Sequence, residues 1–113
     1  MTVSATGRQG WWFARVAGEH HLAGTALPCV HNHWRHGLNY EDSTVRSDDP
    51  RWQEFFAAIR DQRLVIETTS TMPHGIEGEW KRSAYIGIFG VENVTFDGQA
   101  LNFRYVERIA SLT

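Results

Sequence analysis

The chain has 113 residues, 42% of them hydrophobic and 21% charged, with a formal net charge of −2. That length fits one domain with a core of its own, expected over residues 10–113 behind a flexible arm at residues 1–9. No apolar run reaches the roughly 18–20 residues of a membrane span. The opening residues lack a signal-peptide pattern, and a single cysteine, Cys29, forms no internal disulfide; the expected setting is cytoplasmic.

In chain order, residues 10–17 are aromatic and β-branched and read as a strand. Residues 19–23, closed by Gly24, read as one helical turn with a glycine stop. Residues 25–47 show poor periodicity and a high His and Trp content. Asp48-Asp49-Pro50 marks a helix start, an Asp cap followed by proline at the first helical position. Trp52, Phe55, Phe56 and Ile59 then recur at helical spacing, and the helix is expected to end near Asp61. Residues 63–71 form a β-branched run, a strand. Residues 72–82, with Pro73, Gly75 and Gly78, read as a loop.

Residues 83–96 and 100–109 form a hairpin turning at Asp97-Gly98. In its second arm Leu101, Phe103 and Tyr105 share one face, and Asn102, Arg104 and Arg108 are expected on the other. Gly87 and Gly90 point to a bulge, a bend or the close approach of another backbone. The resulting class is α+β: a small, strongly bent β-sheet or barrel with one or two helices packed on it.

Charge is spread evenly. Residues 1–60 carry six Arg against six acids, and residues 61–113 carry five basic against seven acidic residues. There is no basic stripe to hold nucleic acid by charge alone, so any such role must use a pocket. Ten of the eleven basic residues are arginine, which a GC-rich genome explains more readily than phosphate or base-edge recognition does.

Three constellations carry chemical meaning. His31 and His33, two apart, would face one side of a strand and share a metal, with His20 or His21 as a third nitrogen. The acid that a cupin motif needs downstream is absent, since Gly37 and Leu38 stand there. Cys29 and His31 would likewise share a face, giving an activated thiol, although a lone Cys beside Pro28 reads first as a small buried hydrophobe. The third is aromatic: Trp12, Trp34 and Trp80 with Asn32 can sandwich a planar base and read its edge.

Trp12, Val16, Glu19, His20, Leu22 and Gly24 form W-x3-V-x2-E-H-x-L-x-G, followed by Asn32-His33. This resembles the opening of EVE domains in the PUA-like superfamily. Residues 63–70, ending in Ser70, and residues 85–91 are similar to two later strands of that family. Glu67 and Thr68 stand where the family carries an aromatic pair. The resemblance implies a PUA-like bent barrel, with Trp12, His20, Asn32, His33 and Ser70 lining a pocket for a flipped, modified base.

His31, Trp34, Trp80 and Tyr85 join that set from the His and aromatic patterns. The expected function is therefore a non-enzymatic module binding a nucleobase, nucleotide or modified nucleic acid, with no cofactor, metal or membrane. The alternatives are a small His-dependent metalloenzyme and a protein-interaction or inhibitor module of a phage or defence system, which would have a protein partner.

Overall fold

The computed structural model describes residues 3–6, 13–43, 49–71, 81–97 and 99–112. The helix forms where its cap predicts, as α1 (Pro50–Gln62). The Asp49 carboxylate accepts from the Arg51 amide at 2.9 Å. Pro50, with no N–H to lose, occupies the first position. Phe55 and Ile59 are buried, and Trp52 and Phe56 pack beside them.

The helix stops at Arg63, whose backbone is left-handed (φ 54, ψ 33). Its amide donates to the Ile59 carbonyl at 2.8 Å, and its own carbonyl accepts from Val91 at 3.0 Å. A side chain at this conformation costs about 1–2 kcal/mol, more than the backbone entropy of glycine. Arg63→Gly is therefore expected to stabilise the fold by about 0.5–1 kcal/mol, read as a higher urea midpoint with unchanged slope.

Eight strands form one mixed sheet: β1 (Val3–Thr6), β2 (Phe13–Gly18), β3 (Ala26–His31), β4 (Arg35–His36), β5 (Asn39–Asp42), β6 (Leu64–Thr71), β7 (Lys81–Phe96) and β8 (Leu101–Ser111). Their order is β1-β2-β3-β6-β7-β8-β5-β4, with β3 and β6 parallel and the other pairs antiparallel. The sheet is open, ending at β1 and β4, so this is a small α+β fold with one helix.

Several expectations need correction. Val3–Thr6, placed in a flexible arm by its polarity, pairs with residues 15–18 as an edge strand. Residues 25–47 hold three strands where no periodicity showed. β3 is buried over Leu27, Pro28, Cys29 and Val30 on both faces, which removes alternation, and β4 and β5 are too short to display it. The hairpin loop is longer than a two-residue turn, since Phe96 already opposes Leu101. Asp97 organises it by accepting from the Ala100 and Gln99 amides, both at 2.8 Å. These bonds hold its carboxyl below the usual range.

The sheet is strongly curved. If it were flat, the spacing of neighbouring strands would put β4 about 19 Å from β6. Three strands, β7, β8 and β5, stand between them in the sheet order. Yet the chain passes from His31, beside Thr68 of β6, to Arg35 of β4 through only three residues, a 3₁₀ turn (Asn32–Trp34). The arc must curl back on itself. Its inner face holds Val30, Val65, Phe89, Val91, Leu101, Phe103 and Tyr105 with Phe55 and Ile59 of α1. A second cluster, including Val16, Leu27, Cys29, Ile66 and Ile88, lies on the opposite face.

Candidate functional site

One end of the inner face collects the chain's most unusual contacts. The 3₁₀ turn delivers Arg35 to the edge of the arc, where Nη1 donates to Glu67 Oε2 on β6 at 2.6 Å. The Arg35 side chain is 26% exposed and that of Glu67 6%. This ion pair spans the opening of the curled sheet, joining strands that no ladder connects. The guanidinium carbon also sits 4.1 Å from the Tyr105 ring centre and 5.3 Å from that of Phe89. Both are cation–π distances. Its Nε donates to the Gly37 carbonyl at 2.8 Å.

Tyr105 is 2% exposed. Its hydroxyl lies near the Glu67 carboxylate, but no described residue meets it in full hydrogen-bond geometry. Burial first, and then the negative charge of Glu67, push the phenol far above its ordinary range, while Arg35 opposes them. It therefore remains a protonated donor at neutral pH.

Arg108 joins the same end, contrary to the expected alternation. Val91 opposes Tyr105 and Gly90 opposes Glu107, leaving Val106 extra; Phe89 opposes Arg108 and Ile88 opposes Ala110, leaving Ile109 extra. Each irregularity shifts the side-chain parity by one. The first brings Arg108 to the face of Tyr105, with its guanidinium carbon 5.3 Å from the Phe89 ring centre.

The predicted ligand-binding residues are dispersed. Trp12 and Trp80 lie outside the described residues. His31 closes β3, and Asn32, His33 and Trp34 form the 3₁₀ turn, with Trp34 packed against the inner cluster and His33 exposed and edge-on to it at 4.8 Å. Tyr85 packs against the cluster on the opposite face. Ser70 lies on β6 opposite Arg82. His20 is in the β2–β3 turn, at the other end of β3 from His31, where its Nδ1 accepts from Leu22 at 3.2 Å and its ring stacks on His21 at 4.4 Å.

Because the 3₁₀ turn begins immediately after His31, His31 and His33 do not stand as a strand pair. No group of three His, Cys, Asp or Glu among the described residues has the geometry of a metal site. Cys29 is buried between Leu27, Ile66 and Ile88.

The sequence reasoning passed over Arg35, Glu67 and Arg108 as site residues. A signal existed for Glu67, the one charged residue in β6, where it follows the apolar run Leu64-Val65-Ile66. A cleft of about 420 Å³ of mixed polarity lies along β5 and β8, where Tyr40 and Phe103 line it together with His36, Glu41, Asn93 and Arg104 among others. Asn93 is left-handed there (φ 54), at a bulge where two residues of β7 oppose Phe103 alone. Among the described residues no helix is long and apolar enough to cross a membrane. Set against protein-family models, curated proteins and solved structures, the chain matches none of them.

Proposed function

We propose that this chain is a non-enzymatic binding module that takes a single nucleobase or nucleotide, modified cytosine included, at the mouth of its curled sheet. The observation that carries the reading is the composition of the 3₁₀ turn at that mouth. It offers an amide (Asn32), an imidazole (His33) and a half-buried indole (Trp34), and the next residue, Arg35 of β4, adds a guanidinium already stacked on a ring. Amides read base edges, while indole and guanidinium planes stack on base faces. The tight curvature of the sheet, whose two edges are β1 and β4, supports a PUA-like reading. With a net charge of −2 the chain must read through contacts at the mouth, so binding should depend only shallowly on salt.

The test is a titration of short oligonucleotides, with and without modified cytosine, followed by tryptophan fluorescence at low salt. Saturable quenching is expected, and Trp34→Ala should weaken binding by about 1–3 kcal/mol, the worth of one stacked base. No quenching by any oligonucleotide removes the proposal. A protein-interaction reading has its own observation: Leu38 and Val106, 49% and 56% exposed, sit together where the Tyr105 amide donates to the Leu38 carbonyl at 2.7 Å. Co-purification of one stoichiometric protein partner, lost on Val106→Asp, would favour that reading.

A further inference from the structure

The mouth of the arc holds more donors than its own acceptors use. Arg35 donates through Nε to Gly37 and through Nη1 to Glu67, and its Nη2 makes no hydrogen bond among the described residues. Arg108 is exposed and makes one long hydrogen bond, 3.4 Å to the Ser111 hydroxyl. The Tyr105 hydroxyl, buried beside them, is unsatisfied. A buried polar group without a partner calls for an explanation such as an ion or water.

Both guanidinium carbons lie 5.3 Å from the Phe89 ring centre, so they are at most twice that distance apart. Of the two guanidiniums at this end, Arg35 pairs with the one carboxylate, Glu67, and Arg108 has no ion pair among the described residues, leaving a surplus positive charge. The neighbouring acid Glu107 opposes Gly90 on β7 and turns to the other face, and Glu92 lies near Arg104 at 3.6 Å. The donors belong to three separate side chains, two arginines and a phenol. A tetrahedral oxyanion presents oxygens in several directions and suits them better than a planar carboxylate, which one guanidinium edge saturates.

We infer that this end of the inner face is a phosphate site, with Arg35 Nη2 and Arg108 gripping the oxyanion and the Tyr105 hydroxyl as a third, neutral donor. The inference deepens the nucleotide reading and rests on it for the source of the phosphate. Arg35 would then join two tasks, holding the arc closed through Glu67 and facing the ligand. The same chemistry would hold free inorganic phosphate.

Calorimetry at low ionic strength with a nucleoside, its 5′-monophosphate and sodium phosphate distinguishes these sources. The monophosphate is expected to bind at least about tenfold more tightly than the nucleoside, the scale of one charge-assisted hydrogen bond. Inorganic phosphate should compete with it. Arg108→Ala should abolish the preference for the monophosphate, and Arg108→Lys, which keeps charge but loses the fork, should retain part of it; circular dichroism checks that both remain folded. Equal affinities for nucleoside and monophosphate, or a preference that survives Arg108→Ala, overturn the phosphate site. Phosphate binding without nucleoside or oligonucleotide binding keeps the anion site and removes the base reading. Nucleoside binding without preference does the reverse, and no binding of any kind removes both.

Discussion

Arg35→Ala is expected to cost about 2–3 kcal/mol of folding stability, a large share of what a domain of this size possesses. The cause is what remains behind. Glu67 is nearly inaccessible on the inner face, and without Arg35 its charge has no ion-pair partner among the described residues. Breaking a buried pair in this way typically costs about 3–5 kcal/mol. The Arg35 side chain is 26% exposed. Water therefore screens part of the orphaned charge and reduces the figure. The same substitution strips the cover from Tyr105 and Phe89 and loosens β4, a two-residue strand held by one neighbour.

In urea the midpoint should fall, and the thermal midpoint should drop by about 10 °C. Because the loss comes from an orphaned charge, Arg35→Met combined with Glu67→Leu should recover most of it. A double-mutant cycle checks the coupling. Additive effects of Arg35→Ala and Glu67→Ala would show that the ion pair does not hold the arc closed.

Gly87→Ala is expected to be the second severe change, at about 2 kcal/mol. A Cβ at this position would lie 2.8 Å from the Ala110 carbonyl oxygen and 3.2 Å from the Phe89 ring. The oxygen belongs to the paired strand β8 and cannot rotate aside, so the ladder must part where Leu112 donates to Ile86. Gly90 supplies the control. Its Cβ would meet nothing nearer than 3.6 Å, and its φ is not positive. Gly90→Ala should therefore be neutral or stabilising by about 0.5 kcal/mol, through the unfolded chain. Equal effects at the two glycines in chemical denaturation would rule out close backbone approach as the reason for Gly87.

Much of the local structure was legible because its causes lie within a few residues. The Asp49 cap, Pro50 and the 3–4 spacing of Trp52, Phe55, Phe56 and Ile59 specify α1 with no help from the rest of the chain. Alternation in residues 101–105 correctly placed Leu101, Phe103 and Tyr105 inward. The glycines of β7 correctly marked irregular pairing, though not on which strand the extra residues would fall.

The candidate site was legible only in part. The turn bearing Asn32, His33 and Trp34 stood out by composition, but Arg35 beside them did not. Its role depends on Glu67, 32 positions away, and no local pattern reports a contact of that separation. Arg108 illustrates the same limit at short range. Period-two counting puts it opposite Tyr105, and one unpaired residue, Val106, reverses the result.

The amino-acid sequence by itself determined a single small α+β unit, its helix, its long hairpin and a histidine- and tryptophan-rich segment within residues 25–47. These follow from caps, periodicity and side-chain chemistry, all of which act over a few residues. Only the tertiary structure decided that β3 runs parallel to β6, that the sheet curls until β4 meets β6 through an ion pair, and that His20 and Tyr85 stand apart from Trp34. Those outcomes depend on register and loop closure between distant strands, where one bulge or one buried charge selects among arrangements that local preferences leave equal.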